Sequence, residues 1–586
     1  MKHAASILVL ALSLALAGSA VAQAPSDTLK KLFDDEWAWR LRENPLFATS
    51  VGDHSYDDKL PSVTVADAER RDKDTRDFQK RLQAIDRTKL NDADRINYDI
   101  FARSLNDRIT DDQFKGYLMP ITNREGFHTD FPQLPDNVPL STVKDYENYC
   151  ARLEAARTYF DQQIDLMRTG LKAGYVLPKV VMEGLVDTVS PHVVDDPTKS
   201  LLFAPFTHFP DAISAADRTR LTERGKKAIT SSVVPAFTDL RDFFAKEYVP
   251  GGRESIACAS LPNGKAYYEF LVKEYTTLDL TPKQVNDTGL SEVKRIHGEM
   301  DAVIAKTGFK GSFADFVNFL RTDPRFYTTD PQQLMKETAF VLKKIDGQLP
   351  TLFKTLPRLS YGIKPIPDFM APKTTTAYYE PGAGDGTRAG CYRINLYDLK
   401  SRPLYEIEAL SCHEAVPGHH LQGAIAQELP DVPMFRRYDW VTAFGEGWGL
   451  YSERLGLEMG LYQDPYSDFG RLSYEMWRAM RLVVDTGMHY FGWTRQQAID
   501  YMLANGALSK RNIEAEVDRY IAWPGQALAY KTGELKIREL RAYATRELGP
   551  KFDVREFHDV VLWSGCVPLD VLDANVKAWV AKKKQS

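Results

Sequence analysis

Residues 141–171 read STVKDYENYCARLEAARTYFDQQIDLMRTGL, thirty-one positions over which one apolar stripe returns at helical spacing without a break. A stripe this long predicts a helix with one face in a core. The same period recurs on both sides of it. DTLKKLFDDEWAWRLREN (27–44) places Leu29, Leu32, Phe33, Trp37 and Leu41 on one face. TPKQVNDTGLSEVKRIHGEMDAVIAKTG (281–308) opens on Thr-Pro and closes on Gly, as helices do. Further helical stretches are predicted at 218–246, 331–346, 402–428, 441–459, 467–491, 495–504, 509–519 and 526–547. Strand signals are few. AGCYRINLYD (389–398) is the best of them, with Cys391, Arg393 and Asn395 alternating against Tyr392, Ile394 and Leu396. The expected fold is therefore mainly α, with a small sheet near the middle.

The N-terminus predicts the compartment. MKHAASILVLALSLALAGSAVAQA (1–24) combines a basic start, an apolar run from Ile7 to Ala17 and a small-x-small pattern at Ala20–Ala22. That is the pattern of a secretory signal peptide over residues 1–22, with an apolar part too short to span a bilayer. No cysteine stands at the cleavage point, so a lipid anchor is not expected. With no later membrane segment, the mature protein is expected to be soluble and either periplasmic or secreted.

The chain carries 75 Lys+Arg against 80 Asp+Glu, a net charge of −5, and one more negative without Lys2. A balance this mild in 586 residues argues against a nucleic-acid or anionic-membrane partner. Five cysteines (150, 258, 391, 412, 566) are too few and too odd for a disulfide scaffold, although one bridge is possible. There is no internal repeat, low-complexity run or Gly/Ser linker, so residues 23–586 are read as one large domain with two lobes. The oligomeric state is not legible.

Chemistry concentrates in SCHEAVPGHHLQ (411–422), which holds three of the eleven histidines. In His-Glu-x-x-His metallohydrolases, two histidines one turn apart hold zinc while the adjacent glutamate activates water. Here the i+4 position is Pro417. On a straight helix His419 would lie about 240° around from His413. His420 would return to the same face, but roughly 10.5 Å along the axis. Pro417 forbids a straight helix. A bulge at Pro417-Gly418 that absorbed two residues would bring His419 to the i+4 place. AFGEGWGLYSERLGLEMG (443–460) adds Glu446 and Glu453 on one helix face, at a distance that suits a returning antiparallel helix. Glu446 lies between Gly445 and Gly447, where helix propensity is poor and close packing is expected to matter more. Glu446 is a candidate ligand. For Glu453, a site role and a surface carboxylate paired with Arg454 or Arg471 are about equally supported.

These residues resemble the bacterial domain-of-unknown-function 885 family, read as zinc metallopeptidases distantly similar to thimet-oligopeptidase-like and angiotensin-converting-enzyme-like enzymes. The pattern His-Glu-x-x-Pro-Gly-His-x-x-Gln matches at His413, Glu414, Pro417, Gly418, His419 and Gln422. Glu-Gly-Trp-x-x-Tyr-x-Glu matches at Glu446, Gly447, Trp448, Tyr451 and Glu453. Further matches are NPLFATSVGDHSYDDKLPS, GLSEVKRIHGEM, GTRAGCYRIN, RLVVDTGMH and YIAWPGQALAYKTGELKI, so the likeness spans almost the whole mature chain. One departure is a histidine expected just before Gly289-Leu290; Asn286 stands in that region.

The resemblance implies His413, His419 and Glu446 as zinc ligands, with Glu414 as general base and His420 as a substrate-contacting neighbour. It also implies a strand near 389–396 that holds an extended peptide along a sheet edge. Tyr530 and His489 are candidate donors to the oxyanion of the reaction. Arg519, Gln526 and Lys531 are candidates to receive a substrate carboxylate. The expected activity is hydrolysis of short peptides by an exported zinc peptidase. A hydrolase of a cyclic imide or cell-wall amide, or a binding protein with a decayed site, are the alternatives.

Overall fold

In a computed structural model, which describes residues 24–367, 371, 375–382, 389–430 and 432–585, the chain is mostly helical. The leader read over residues 1–22 lies outside them. The stripe of residues 141–171 lies on the helix Val143–Ala173. Thr142 and Asp145 cap its start reciprocally, and Gly174 ends it at φ 82°. Its stripe of Tyr146, Tyr149, Leu153, Phe160, Ile164 and Met167 is buried. Each such side chain contributes about 1.5–3 kcal/mol by leaving water. The Thr-Pro start at 281–282 behaves likewise: Pro282–Thr307 carries a Thr281/Gln284 capping box and stops at Gly308.

The apolar faces gather into two large cores. One is built on Val143–Ala173, Pro282–Thr307 and Lys510–Ala522. The other takes the N-terminal helix Pro25–Glu43, Pro331–Leu352, the sheet and Ala529–Leu548. The long helix Pro465–His489 runs between them: Phe469, Leu472 and Met476 enter the first core, Tyr474 the second, and Trp477 packs against both. It is buried almost throughout its length, so the polar side chains along it must find partners inside the protein.

The sheet has three strands in the order β1 (Tyr361–Pro365), β3 (Gly390–Ile394), β2 (Ala377–Glu380). β1 is parallel to β3 and β2 antiparallel. The strand predicted at 389–398 is present, but it is the central one, paired on both sides. The edge expected there is supplied by β2 instead. The clean alternation also fails, because Cys391 and Asn395 are as buried as Tyr392 and Ile394. A central strand covered on both faces needs no polar side. All five cysteines are buried and unbridged. Among the described residues, no helix is long and apolar enough to cross a membrane.

Candidate metal centre

The helix predicted over 402–428 is interrupted. Its first part, Ile407–Glu414, ends one residue after His413, and the second, His419–Glu428, begins with His419 itself. The expected bulge inside a continuous helix is instead a full break across residues 415–418. Ala415 (φ −102°, ψ −102°) and Gly418 (φ −75°, ψ −130°) both leave helical geometry, and the Val416–Pro417 peptide is cis. Only glycine fits at 418, since a Cβ there would lie 1.8 Å from the His413 carbonyl oxygen. The Trp448 indole donates to the Pro417 carbonyl at 2.8 Å and pins the break.

The break sets the two histidine rings perpendicular, 4.8 Å apart between centroids. The returning helix Thr442–Leu455 lays Glu446 against both: its Oε2 is 3.6 Å from His413 Nε2 and 3.6 Å from His419 Nε2. One ligand atom from each of the three residues lies within 4.8 Å of the other two. The edge of a tetrahedron with bonds of ~2.1 Å is roughly 3.4 Å, so the group could hold a metal ion. Electrostatics agree. Burial opposes a charge on His413, yet Glu446 and Glu453 beside it raise its pKa to about 9. Burial likewise opposes a charged Glu446, but the His413 and His419 rings beside it hold it well below the carboxylate range. The pocket thus favours positive charge at the point where the three side chains meet.

Each remaining residue of the 446–453 pattern has a job. Gly449 leaves room for the His413 ring, which a Cβ would approach to 2.8 Å. Glu453 is 1% exposed and its Oε1 lies 2.8 Å from His413 Nδ1. It is neither on the surface nor paired with Arg454 or Arg471; Arg478 is its cation, at 3.6 Å. Gly447 faces Gly533 of Ala529–Leu548 at a contact where a Cβ on Gly447 would lie 2.5 Å from the Gly533 Cα. That close crossing brings Tyr530 to the site. Tyr451 bonds His558 at 2.8 Å and ties the helix to the second core.

Glu414 Oε2 accepts from the Tyr379 backbone N–H of β2 at 3.0 Å, so the edge strand touches the site through this carboxylate. The Tyr530 hydroxyl feels the charge of Glu446, while the Arg481 guanidinium stacks 4.5 Å from its ring centre. Burial, then Glu446, raises the phenol pKa. Arg519 donates to Gln526 Oε1 at 3.2 Å, and Gln526 neighbours Tyr530.

Three candidates are placed elsewhere. His420 turns away from the ligands: its Nδ1 is 3.1 Å from the Tyr379 hydroxyl, its ring packs on Tyr361, and burial lowers its pKa to about 4. It lines a separate cavity of about 430 Å³ between β1 and Pro331–Leu352. His489 has both nitrogens committed to backbone, Nδ1 accepting from Cys258 N–H at 3.0 Å and Nε2 lying 2.9 Å from the Tyr520 carbonyl. It holds chain segments together and has no donor left for an oxyanion. Lys531 is caged by Glu475, Glu292 and Glu534 at 2.8, 3.0 and 2.9 Å, which leaves it no free valence for a substrate carboxylate. Asn286, at the departure noted above, bonds Thr486 at 2.9 Å and serves helix packing.

Sequence reading missed Trp440, Arg478 and Arg481. Trp440 is 55% exposed and edges the His419 ring at 5.9 Å. The two arginines belong to a polar seam, Arg471, Glu475, Arg478, Arg481, Asp485 and His489, that repeats at helical spacing along a buried helix. That repeat was visible and was the available signal.

A mostly helical protein with a His-His-Glu group at a broken helix is the class this fold and site define. The chain belongs to the family described as bacterial protein of unknown function (DUF885), whose pattern matches residues 45–576. Two solved structures share the fold. One, "the putative lipoprotein from Colwellia psychrerythraea", is 27% identical with a TM-score of 0.90, over 95% of this chain and 100% of that one. The other, "a putative lipoprotein of unknown function from Shewanella oneidensis", is 18% identical with a TM-score of 0.68, over 94% and 99%. No curated protein matches.

Proposed function

We propose that the protein is an exported zinc-dependent peptidase acting on short peptides. The convergence of His413, His419 and Glu446, with Glu453 behind His413 and Glu414 alongside, carries this reading. Two nitrogens and one carboxylate oxygen suit zinc and leave a fourth position open, the arrangement of catalytic rather than structural sites. Bound there, zinc would supply a Lewis acid and lower the pKa of a water towards neutrality. Glu414 has one oxygen fixed by the Tyr379 N–H, and its other is left to take a proton from water and return it to the leaving amine. Tyr530, kept protonated by its raised pKa, can donate to the carbonyl oxygen as charge builds on it. β2, the edge strand beside Glu414, is suited to hold an extended substrate. Export is supported by the N-terminal leader pattern and by the description of the Colwellia psychrerythraea relative as a "putative lipoprotein".

The test is metal analysis of the purified mature protein together with digestion of a peptide mixture, casein and a folded protein. About one zinc per chain and cleavage of the peptides alone are expected. A metal-free protein that cuts nothing would leave a binding role.

A further inference from the structure

Four cationic and hydrogen-bonding side chains adjoin the candidate centre on the Tyr530 side, and their charges do not balance. Among the described residues, Glu516 is the one carboxylate paired with the arginines there. Its Oε2 is 3.3 Å from Arg481 Nη2 and 3.0 Å from Arg519 Nη2, and its Oε1 is 3.6 Å from Arg124 Nη1. Three guanidinium groups thus share one negative charge. Asp485, the next carboxylate facing Arg519, is buried and pushed up towards its neutral form. Glu446, beyond Tyr530, belongs to the metal group.

Arg481 is the sharpest case. Its side chain is 3% exposed and lies between the Trp477 and Tyr530 rings at 4.4 and 4.5 Å. Nε donates to the Tyr520 hydroxyl at 2.9 Å and Nη2 to Glu516, but buried Nη1 has no hydrogen-bond partner. A buried, charged N–H without an acceptor costs free energy that folding does not recover. An acceptor from outside the chain would remove that cost.

We propose that Arg481 and Arg519, with Gln526 and Tyr530 beside them, form a carboxylate-binding subsite that selects peptides by their free C-terminus. The substrates are then peptides with a free C-terminal carboxylate, a conclusion that rests on the peptidase reading above. Tyr530 links the two sites: its ring touches Arg481 and it feels the charge of Glu446. A peptide anchored there by its carboxylate runs past Tyr530 towards the metal group, and the amide that reaches that group is the one cut. Water adds across that amide: its hydroxyl goes to the carbonyl carbon, its proton to the leaving nitrogen. The products are a shortened peptide with a new carboxylate and the C-terminal fragment with a new amine. Lys531, caged by its three glutamates, has no part in this.

The experiment compares an N-acetylated dipeptide as free acid and as C-terminal amide, binding to the zinc-loaded protein by calorimetry. The acid should bind roughly 10- to 100-fold tighter, as charge-assisted pairing with guanidinium implies. Arg481→Gln and Arg519→Gln should each abolish most of that difference, with thermal melts confirming that the variants fold. Arg519 is partly exposed, so its variant tests the subsite even if the Arg481 variant is unstable. No preference in the wild type, or an undiminished preference in both variants, overturns the subsite. Digestion of longer peptides in both forms separates the two claims. Acid-selective binding without any hydrolysis supports the subsite and sinks the peptidase reading. Equal cutting of acid and amide at internal bonds supports a peptidase and overturns the subsite.

Discussion

Glu453 Oε1 and His413 Nδ1 lie 2.8 Å apart, joining the last turn of the helix before the break to the last turn of Thr442–Leu455. A carboxylate on Nδ1 fixes the ring's tautomer and turns Nε2 towards Glu446 and His419. Glu453→Gln keeps the volume and an acceptor but weakens the polarisation. It should lower metal affinity about 10- to 100-fold, measured by competition with a chelator, while the protein stays folded. Unchanged affinity would make the contact a packing feature only.

His413→Ala and Glu446→Ala should each lose the metal. His419→Ala should lose far more of it than His420→Ala, because His420 is turned to the Tyr379 hydroxyl. Metal content after dialysis checks this. Full retention in the His419 variant would move the ligand to another residue.

Glu414→Gln should keep both metal and melting temperature and lower hydrolysis at least ~100-fold, since a positioned base contributes that much. Near wild-type turnover would mean that another group takes the proton.

The crossing at Gly447 and Gly533 tolerates no side chain, since a Cβ on Gly533 would lie 1.8 Å from the Ala443 carbonyl oxygen. Gly533→Ala should cost about 1–3 kcal/mol through overpacking. It should also lower activity in molecules that remain folded, because Tyr530 rides on the same helix. A variant as stable and active as the parent would show that the helices part without consequence.

Asp485 accepts from the Tyr268 hydroxyl at 2.5 Å and from the Gly525 N–H at 3.2 Å, and burial pushes its pKa up to about 7. A raised carboxylate pKa means the folded state holds the proton more tightly than the unfolded one. Its contribution is fully present below the unfolded value near 3.8 and falls by roughly 1.4 kcal/mol per pH unit until about 7. Asp485→Asn, which cannot ionise, should therefore gain melting temperature relative to wild type at pH 8 compared with pH 5. Equal differences at both pH values would contradict a proton held there.

Local pattern and short-range rules made the helices legible, and most of the site. The stripe in 141–171, the Thr-Pro and Gly ends of 281–308 and the proline problem at 417 all follow from spacing within a few residues. The glycines around Glu446 announced a close approach without saying to what. Helices such as Val65–Gln83 escaped notice because only Ala68, Thr75, Phe78 and Leu82 of that charged segment are buried, a stripe too thin to stand out.

Tertiary structure decided what spacing could not. Whether Pro417-Gly418 bulges or breaks the helix depends on Trp448, thirty-one residues away, holding the Pro417 carbonyl. Glu453, His489 and Lys531 are all ionisable residues on helices, alike as sequence. One is buried against His413, one is bonded at both nitrogens to backbone, and one is caged by three glutamates. Burial sets the cost of an unpaired charge and long-range packing supplies or withholds the partner. Those two quantities exist only once the chain has folded.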